Sequence, residues 1–452
     1  MNIAVPPPVA GLPPFNRVRR GGLAEALAAR ESEGRPVRAA VIGAGEMGTD
    51  LVTAAARMRG FAVAVLVDRR MASWRPALAI AGLPEDHGQA CETPAAVARA
   101  VEAGRMAVVP DAALAFSCPL VDCVIDATGV PAAGAEYGLA ALEAGKHLVM
   151  MNVEADVTIG ALLQHRARQL GLVYTIGAGD EPSSTIELYD FVTALGYPVV
   201  AAGKGKNNAF RTDAVPADYE EEAARRNMNP RMLVEFVDGS KTMVEMACIA
   251  NATGLTPDVP GMHGPDCPLD RLDKVMVPES DGGILSGPGR VDFTVGRGVA
   301  PGIFVVADMS HPRVNERMSD LHLGEGPYFT FYRPYHLTSL EVPLSAARAV
   351  LHGTSDMMPL DRPVAEVCAV AKRDLKRGDE LDFIGETTYR SWTMRADEAR
   401  AAGAHPVGLL HRGRVTADVG RGELLTRDNA EVDGTSVLAR MRAEQDAWLG
   451  YA

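Results

Sequence analysis

Residues 39–53 read AAVIGAGEMGTDLVT, and this stretch decides the fold. An apolar run, Ala39 to Ile42, enters glycines at 43, 45 and 48 and continues into residues able to start a helix. A G-x-G-x-x-G between strand and helix has a defined use. Gly43 makes a tight turn, Gly45 lets the backbone approach a pyrophosphate, and Gly48 lets helix and strand pack closely, with Glu46 and Met47 completing the loop. The N-terminus of the following helix then receives the anion.

Outward from this loop, short buried strands alternate with helices. VRAAVI is followed by AVAVLV at 62–67, DCVIDA at 122–127 and HLVMM at 147–151, the pattern of a parallel sheet with crossover helices. Asp68 ends the second strand, 20 residues after Gly48, where a dinucleotide fold places an acid for the ribose hydroxyls. Arg69 and Arg70 follow; an arginine there holds a 2′-phosphate, so NADPH is the expected cofactor, with idle surface charge as the rival reading. The third of these strands runs into Asp126-Ala127-Thr128-Gly129, which places Thr128 and Gly129, and after the next strand Asn152, beside the cofactor.

With 452 residues the chain is too long for one core, and two or three domains are expected. Apolar content of 47% and 23% charged residues are ordinary for a globular protein. A net charge of −13 argues against nucleic acid as the main partner. No apolar run suggests a membrane span, and the N-terminal MNIAVPPPVAGLPPF lacks the basic start and apolar core of a signal peptide, so a cytoplasmic enzyme is expected. Six cysteines at 91, 118, 123, 248, 267 and 368 form no zinc-like spacing and read as reduced, structural thiols.

Residues 1–36, rich in proline and carrying a helix near Gly22 to Arg30, read as an N-terminal arm; 37–153 form the dinucleotide-binding domain. The region 154–360 reads as an α+β substrate domain, with a helix from about Asp156 to Gln169, the strand LVYTI at 172–176, the loop GAGDEPSS at 177–184, a helix from Thr185 to Leu195 and the strand PVVAAGKGKNN. The segment SLEVPLSAARAVLHG reads as a helix returning to the first domain.

Two strand-end loops carry the candidate chemistry. AGKGKNN presents Lys204 and Lys206 on a glycine-flexed turn, followed by Asn207 and Asn208; these groups either hold substrate and polarise a carbonyl, with Lys204 as proton donor, or form a solvated basic turn. In GAGDEPSS, Asp180 and Glu181 would bind a divalent cation or supply a general base, or else sit in a first helical turn capped by Ser183 or Ser184. Further on, PYFTFYR alternates as a strand with Phe329 and Phe331 in the core, and Arg333 is either a phosphate ligand or a structural ion pair. Lys241, Asn251 and Thr253 are weaker candidates, because MVEMACIA reads as a buried helix face.

Residues 361–452 contain a weak repeat: AKRDLKRGDEL at 371–381 aligns with VTADVGRGELL at 415–425, matching Asp374 with Asp418, Arg377 with Arg421 and Gly378 with Gly422. Short strands with matched glycine turns suggest a small β module.

The string IDATGVPAAGAEYGLAALEAGKHLVMMNVEAD resembles the end of the nucleotide domain of homoserine dehydrogenase-like oxidoreductases, and the C-terminal repeat resembles an SAF (β-clip) domain. Together with GAGDEPSS and AGKGKNN, the whole is similar to the DRL family, 1-deoxy-D-xylulose 5-phosphate reductoisomerase-like proteins, from Val37 to about Asp433. The resemblance implies NADPH-dependent conversion of 1-deoxy-D-xylulose 5-phosphate to 2-C-methyl-D-erythritol 4-phosphate in isoprenoid precursor synthesis, a divalent Mg or Mn ion and a homodimer. Related proteins of this layout act on other sugar-derived acids and aldehydes, and a nucleotide-sensing binding protein is the non-enzymatic alternative. Homoserine dehydrogenases carry Asn-Lys where this chain has Asn152-Val153-Glu154, so one of their lysines is absent.

Overall fold

A computed structural model describes residues 19–208, 210–226 and 228–451. The first half of the expected arm, residues 1–18, lies outside the described residues; the helix behind it runs Leu23–Ser32. The chain forms two compact units. One comprises Met1–Ala155, Leu162–Asp180 and Leu337–Met358; the other comprises Asp156–Ala161, Glu181–His336 and Pro359–Ala452.

The first unit is built on a seven-stranded, wholly parallel sheet. Its strands are β1 (Val37–Ile42), β2 (Phe61–Val67), β3 (Gly88–Ala90), β4 (Met106–Val109), β5 (Cys123–Asp126), β6 (His147–Met150) and β7 (Tyr174–Ile176), in the spatial order β3-β4-β2-β1-β5-β6-β7. This is a Rossmann arrangement, with the chain reversing direction across the sheet beside β1. Apolar runs such as FAVAVLV are required because helices cover both faces of a parallel sheet. Three of the seven strands were not read as members of this sheet. β3 and β4 are only three and four residues long, and β7, expected in the later α/β stretch, pairs with β6. The helix at Val342–His352 belongs to this unit, and its Val342, Ala346 and Ala347 join a core with Val41, Leu51 and Val149.

In the second unit, β8 (Val199–Lys206) lies between parallel β10 (Arg290–Val295) and antiparallel β11 (Ile303–Asp308); β9 (Thr256–Pro257) and β12 (Tyr328–Arg333) form the edges. Lys204 and Lys206 therefore stand inside the strand, a correction to the expected turn. The glycines between and before them serve strand packing. A Cβ at Gly203 would lie 1.6 Å from the Asp292 carbonyl oxygen, and one at Gly205 2.0 Å from that of Val299. Against this sheet packs the helix Ser240–Thr253, buried at every position from Thr242 to Asn251.

Two antiparallel pairs complete this unit: β13 (Ala365–Ala371) with β14 (Tyr389–Arg395), and β15 (Arg414–Val415) with β16 (Ala430–Glu431). This small β module is consistent with the SAF-like clip. The repeat is visible as reciprocal contacts: Asp418 Oδ1 accepts from the backbone N–H of Arg377 (3.0 Å), and Asp374 Oδ1 accepts from that of Arg421 (2.9 Å). All six cysteines are buried, and none is joined in a disulfide. No helix among the described residues is long and apolar enough to cross a membrane.

Candidate functional site

In the first unit the glycine loop has the geometry its sequence demands. Gly43 adopts φ +105°, a region that disfavours a side chain, and a Cβ on Gly48 would lie 1.8 Å from the Gly43 carbonyl oxygen. A Cβ on Gly45 would meet nothing within 4 Å, so this residue faces the open space a pyrophosphate requires. Gly45 caps the helix Glu46–Ala55, placing Glu46 and Met47 in its first turn. The donor set fits a dinucleotide: an uncovered helix N-terminus and a glycine backbone open to approach.

Asp68 has a structural task beside its expected one. Its Oδ2 accepts from Ala44 N (2.8 Å) and its Oδ1 from Arg70 N (2.6 Å), so the carboxylate ties the glycine loop to the end of β2. Arg70 is exposed, and Arg69 donates to Tyr137 Oη at 3.2 Å. Asn152 is fully buried, with its Nδ2 donating to Val130 O (2.8 Å) and lying 3.3 Å from Asp126 Oδ2 and 3.4 Å from Thr128 Oγ1. Thr128 N donates to Asp126 Oδ1 (3.0 Å) and Gly129 takes φ +62°. Asn152 thus shapes the Thr128–Val130 turn from behind.

The second unit holds a dense charged cluster. Lys204 is 7% exposed, and its Nζ donates to Glu181 Oε1 (2.6 Å) and to Glu245 Oε2. Burial disfavours the ammonium, but the two carboxylates outweigh it and hold Lys204 well above the usual lysine range. It is a fixed cation.

Lys206, two residues on and on the same face of β8, is 5% exposed. Its Nζ donates to the Phe236 carbonyl and lies 5.1 Å from the centre of the Phe210 ring. Burial, followed by repulsion from Lys204, pushes its pKa down to about 8, against the opposing pull of Glu245 and Asp238. Behind it, buried Asp238 pairs with Lys372 Nζ at 2.7 Å; Lys372 also donates to Ala214 O (3.0 Å) and Glu386 O (2.7 Å).

The helix expected from Thr185 starts at Glu181, so Ser183 and Ser184 are buried helix-interior residues and not caps. A helix starting four residues earlier aims Glu181 at Lys204. Asp180, Glu181 and His336 each offer a ligand atom, and these atoms lie within 4.8 Å of one another; His336 Nε2 is 3.5 Å from Glu181 Oε1. Two carboxylates and an imidazole suit Mg²⁺ or Mn²⁺, with Lys204 competing for Glu181. Arg333 Nη1 donates to Ser184 Oγ (2.9 Å) and Glu187 Oε2 (3.0 Å). Asn207 and Asn208 are exposed just beyond β8. Asn251 is structural, its Oδ1 accepting from Val364 N and Ala365 N, each at 2.9 Å.

Glu245 was missed by the sequence reading. Its signal was a lone acid in the apolar run MVEMACIA, since a buried carboxylate demands a partner.

Residues 179–342 match the family model described as "Oxidoreductase DRL, catalytic domain", the segment that carries Glu181, Lys204, Lys206 and Glu245. Among curated proteins none matches the chain. Among solved structures, the chain is similar to an NAD binding oxidoreductase from Klebsiella pneumoniae (20% identity, TM-score 0.28, 40% of this chain and 44% of that one). It is also similar to a probable dehydrogenase from Thermotoga maritima (15%, 0.36, 60% and 72%) and an amine dehydrogenase from Mycobacterium smegmatis (15%, 0.39, 72% and 94%). The chain thus spans less than half the length of the Klebsiella protein. The first unit thus carries a Rossmann sheet with an open glycine loop, the arrangement that binds NAD(P), and residues 179–342 of the chain match an oxidoreductase catalytic domain.

Proposed function

We propose that the chain is an NADPH-dependent oxidoreductase or oxidoisomerase of a small sugar-derived acid or aldehyde, acting on a carbonyl held beside Lys204. The observation that carries this reading is Lys204 itself: an ammonium kept charged by Glu181 and Glu245, on a strand where α/β folds place ligands. Bound nicotinamide supplies the hydride. The residues of the chain supply the rest. A fixed cation at a carbonyl oxygen stabilises the alkoxide that develops there, without reorganising during the reaction. Asn207 and Asn208 offer amide donors to the substrate's other polar groups, and Arg333 stands ready for an acidic group if its contact with Glu187 opens.

The DRL catalytic-domain match favours a second reading, the reductoisomerase reaction on 1-deoxy-D-xylulose 5-phosphate. Asp180, Glu181 and His336 would hold Mg²⁺ or Mn²⁺ for it, where the metal would polarise adjacent substrate oxygens. The cofactor residues proposed are Gly43, Gly45, Glu46, Met47, Gly48, Asp68, Arg69, Arg70, Thr128, Gly129 and Asn152. We also infer a homodimer and the boundaries 37–153, 154–360 and 361–452 as functional domains.

The test is NADPH oxidation with a panel of keto-aldonic acids, sugar aldehydes and 1-deoxy-D-xylulose 5-phosphate, with and without Mn²⁺. Turnover of a sugar acid or aldehyde alone supports the first reading; Mn²⁺-dependent turnover of the phosphorylated deoxy sugar supports the second. Inertness toward the whole panel in protein that binds NADPH would sink both.

A further inference from the structure

We propose, on the NADPH reading above, that Tyr137 sets the cofactor preference of the first unit by holding the Arg69 guanidinium in place for the 2′-phosphate. Tyr137 is thereby a positioning residue. It acts on the cofactor through Arg69.

In the sheet, β1 lies between β2 and β5, with Ile42 opposite Val67 on one side and opposite Asp126 on the other. The glycine loop leaves the carboxyl end of β1, and an open α/β sheet receives its ligand there. Arg69 stands two residues beyond β2, and Tyr137 lies on the helix Pro131–Glu143 that follows β5. Arg69 Nη2 donates to Tyr137 Oη at 3.2 Å, so one hydrogen bond joins the connections on the two flanks of the loop. The tyrosine end of this bond is anchored. Its ring meets that of Phe116 edge-on, with 6.4 Å between centres, and Phe116 is buried.

The neighbouring groups leave the choice between cofactors to this pair. Asp68, the acid expected at the ribose hydroxyls, has both oxygens turned to the backbone N–H groups of Ala44 and Arg70. A carboxylate occupied in this way offers a plain ribose less. The Arg70 side chain is 79% exposed, with its Nε 3.9 Å from Asp68 Oδ1, beyond hydrogen-bond distance. It must give up rotamer freedom to clamp a phosphate, whereas Arg69 has already surrendered much of its own to Tyr137. One bond to a neutral hydroxyl leaves most of the five N–H donors of Arg69 available for paired bonds to phosphate oxygens. A phenol suits this task better than a carboxylate, which would neutralise the charge that the phosphate needs.

Binding to the cofactor-free protein reads this without turnover. Kd values for NADPH, NADH, 2′,5′-ADP and 5′-AMP are measured by calorimetry in the wild type, Tyr137→Phe, Arg69→Ala and the double variant. Tyr137→Phe keeps the ring against Phe116, and an unchanged Tm is expected. The wild type is expected to prefer NADPH over NADH and 2′,5′-ADP over 5′-AMP. In Tyr137→Phe the two 2′-phosphorylated ligands weaken about tenfold, the scale of one lost hydrogen bond to a charged group, while NADH and 5′-AMP hardly change. The double variant binds NADPH no more weakly than Arg69→Ala, because the tyrosine works through the arginine. A tyrosine that only supports the fold would weaken all the ligands alike. That result, no weakening, tighter NADPH binding or additive losses in the double variant overturns the role of Tyr137 and leaves the NADPH reading intact. A wild type that binds NADH as tightly as NADPH overturns that reading, and the role of Tyr137 with it.

Discussion

The ammonium of Lys204 lies 2.6 Å from Glu181 Oε1, joining the centre of a sheet strand to the first residue of the helix Glu181–Ala194. Glu245, from a third element, closes the clamp from the other side. A lysine so fixed polarises without titrating. Lys204→Ala is expected to lower kcat by about 10² or more, the usual cost of losing one electrostatic donor at a reacting oxygen. NADPH affinity, measured by fluorescence titration, is expected to stay the same. Near wild-type kcat would reassign the catalytic role.

Glu245→Gln keeps the shape and removes a buried charge. Breaking a buried pair costs roughly 3–5 kcal/mol where no second partner remains. Glu181 remains here, so a loss at the lower end of that range is expected in urea unfolding at pH 7. A loss within error would mean that Glu245 contributes nothing to the clamp.

Lys206 gives a pH signature in stability. Its folded pKa, pushed down to about 8, lies below the unfolded lysine value near 10.4. The unfolded chain therefore binds more protons between these values, and stability rises with pH across that window. Lys206→Met lacks this titration, so wild type is expected to gain on the variant between about pH 8 and 10, by on the order of 2–3 kcal/mol. Parallel curves for the two proteins would contradict the lowered pKa.

The glycine loop separates binding from folding. Gly45→Ala adds a Cβ in open space and is expected to leave Tm unchanged while weakening NADPH binding at least tenfold. Gly48→Ala drives a Cβ into the Gly43 carbonyl and is expected to lower Tm as well. A Gly45→Ala protein that binds NADPH normally would remove the pyrophosphate from this loop.

Arg69 and Arg70 test cofactor choice. Changing both to Ala is expected to raise KM for NADPH far more than for NADH, since only the former carries the 2′-phosphate. Equal changes would favour NADH, with the pair reduced to surface charge.

Local sequence was enough for the Rossmann unit, because its signals are local: apolar runs, glycines at fixed spacing, and an acid at the next strand end. The strand–glycine–helix run from Val37 to Ala55 stands in the structure as its residues require. Strands β3 and β4 escaped notice because three or four residues show no period. The sequence also carried the two Asp-Arg-Gly repeats, whose reciprocal hydrogen bonds the fold then made. It could not place Lys204 and Lys206 correctly, since glycines beside lysines read equally well as a turn or as a tightly packed strand. The carbonyls of Asp292 and Val299, about 90 residues further along the chain, decided for the strand. Nor could it pair Glu245 with Lys204, 41 residues away, because a salt bridge between separate elements leaves no periodicity in either. What a residue is depends on the sequence alone. Whether its proton is fixed or free was set by burial and by the charges that tertiary packing brings against it, and that is where Lys204 and Lys206, two residues apart, part company.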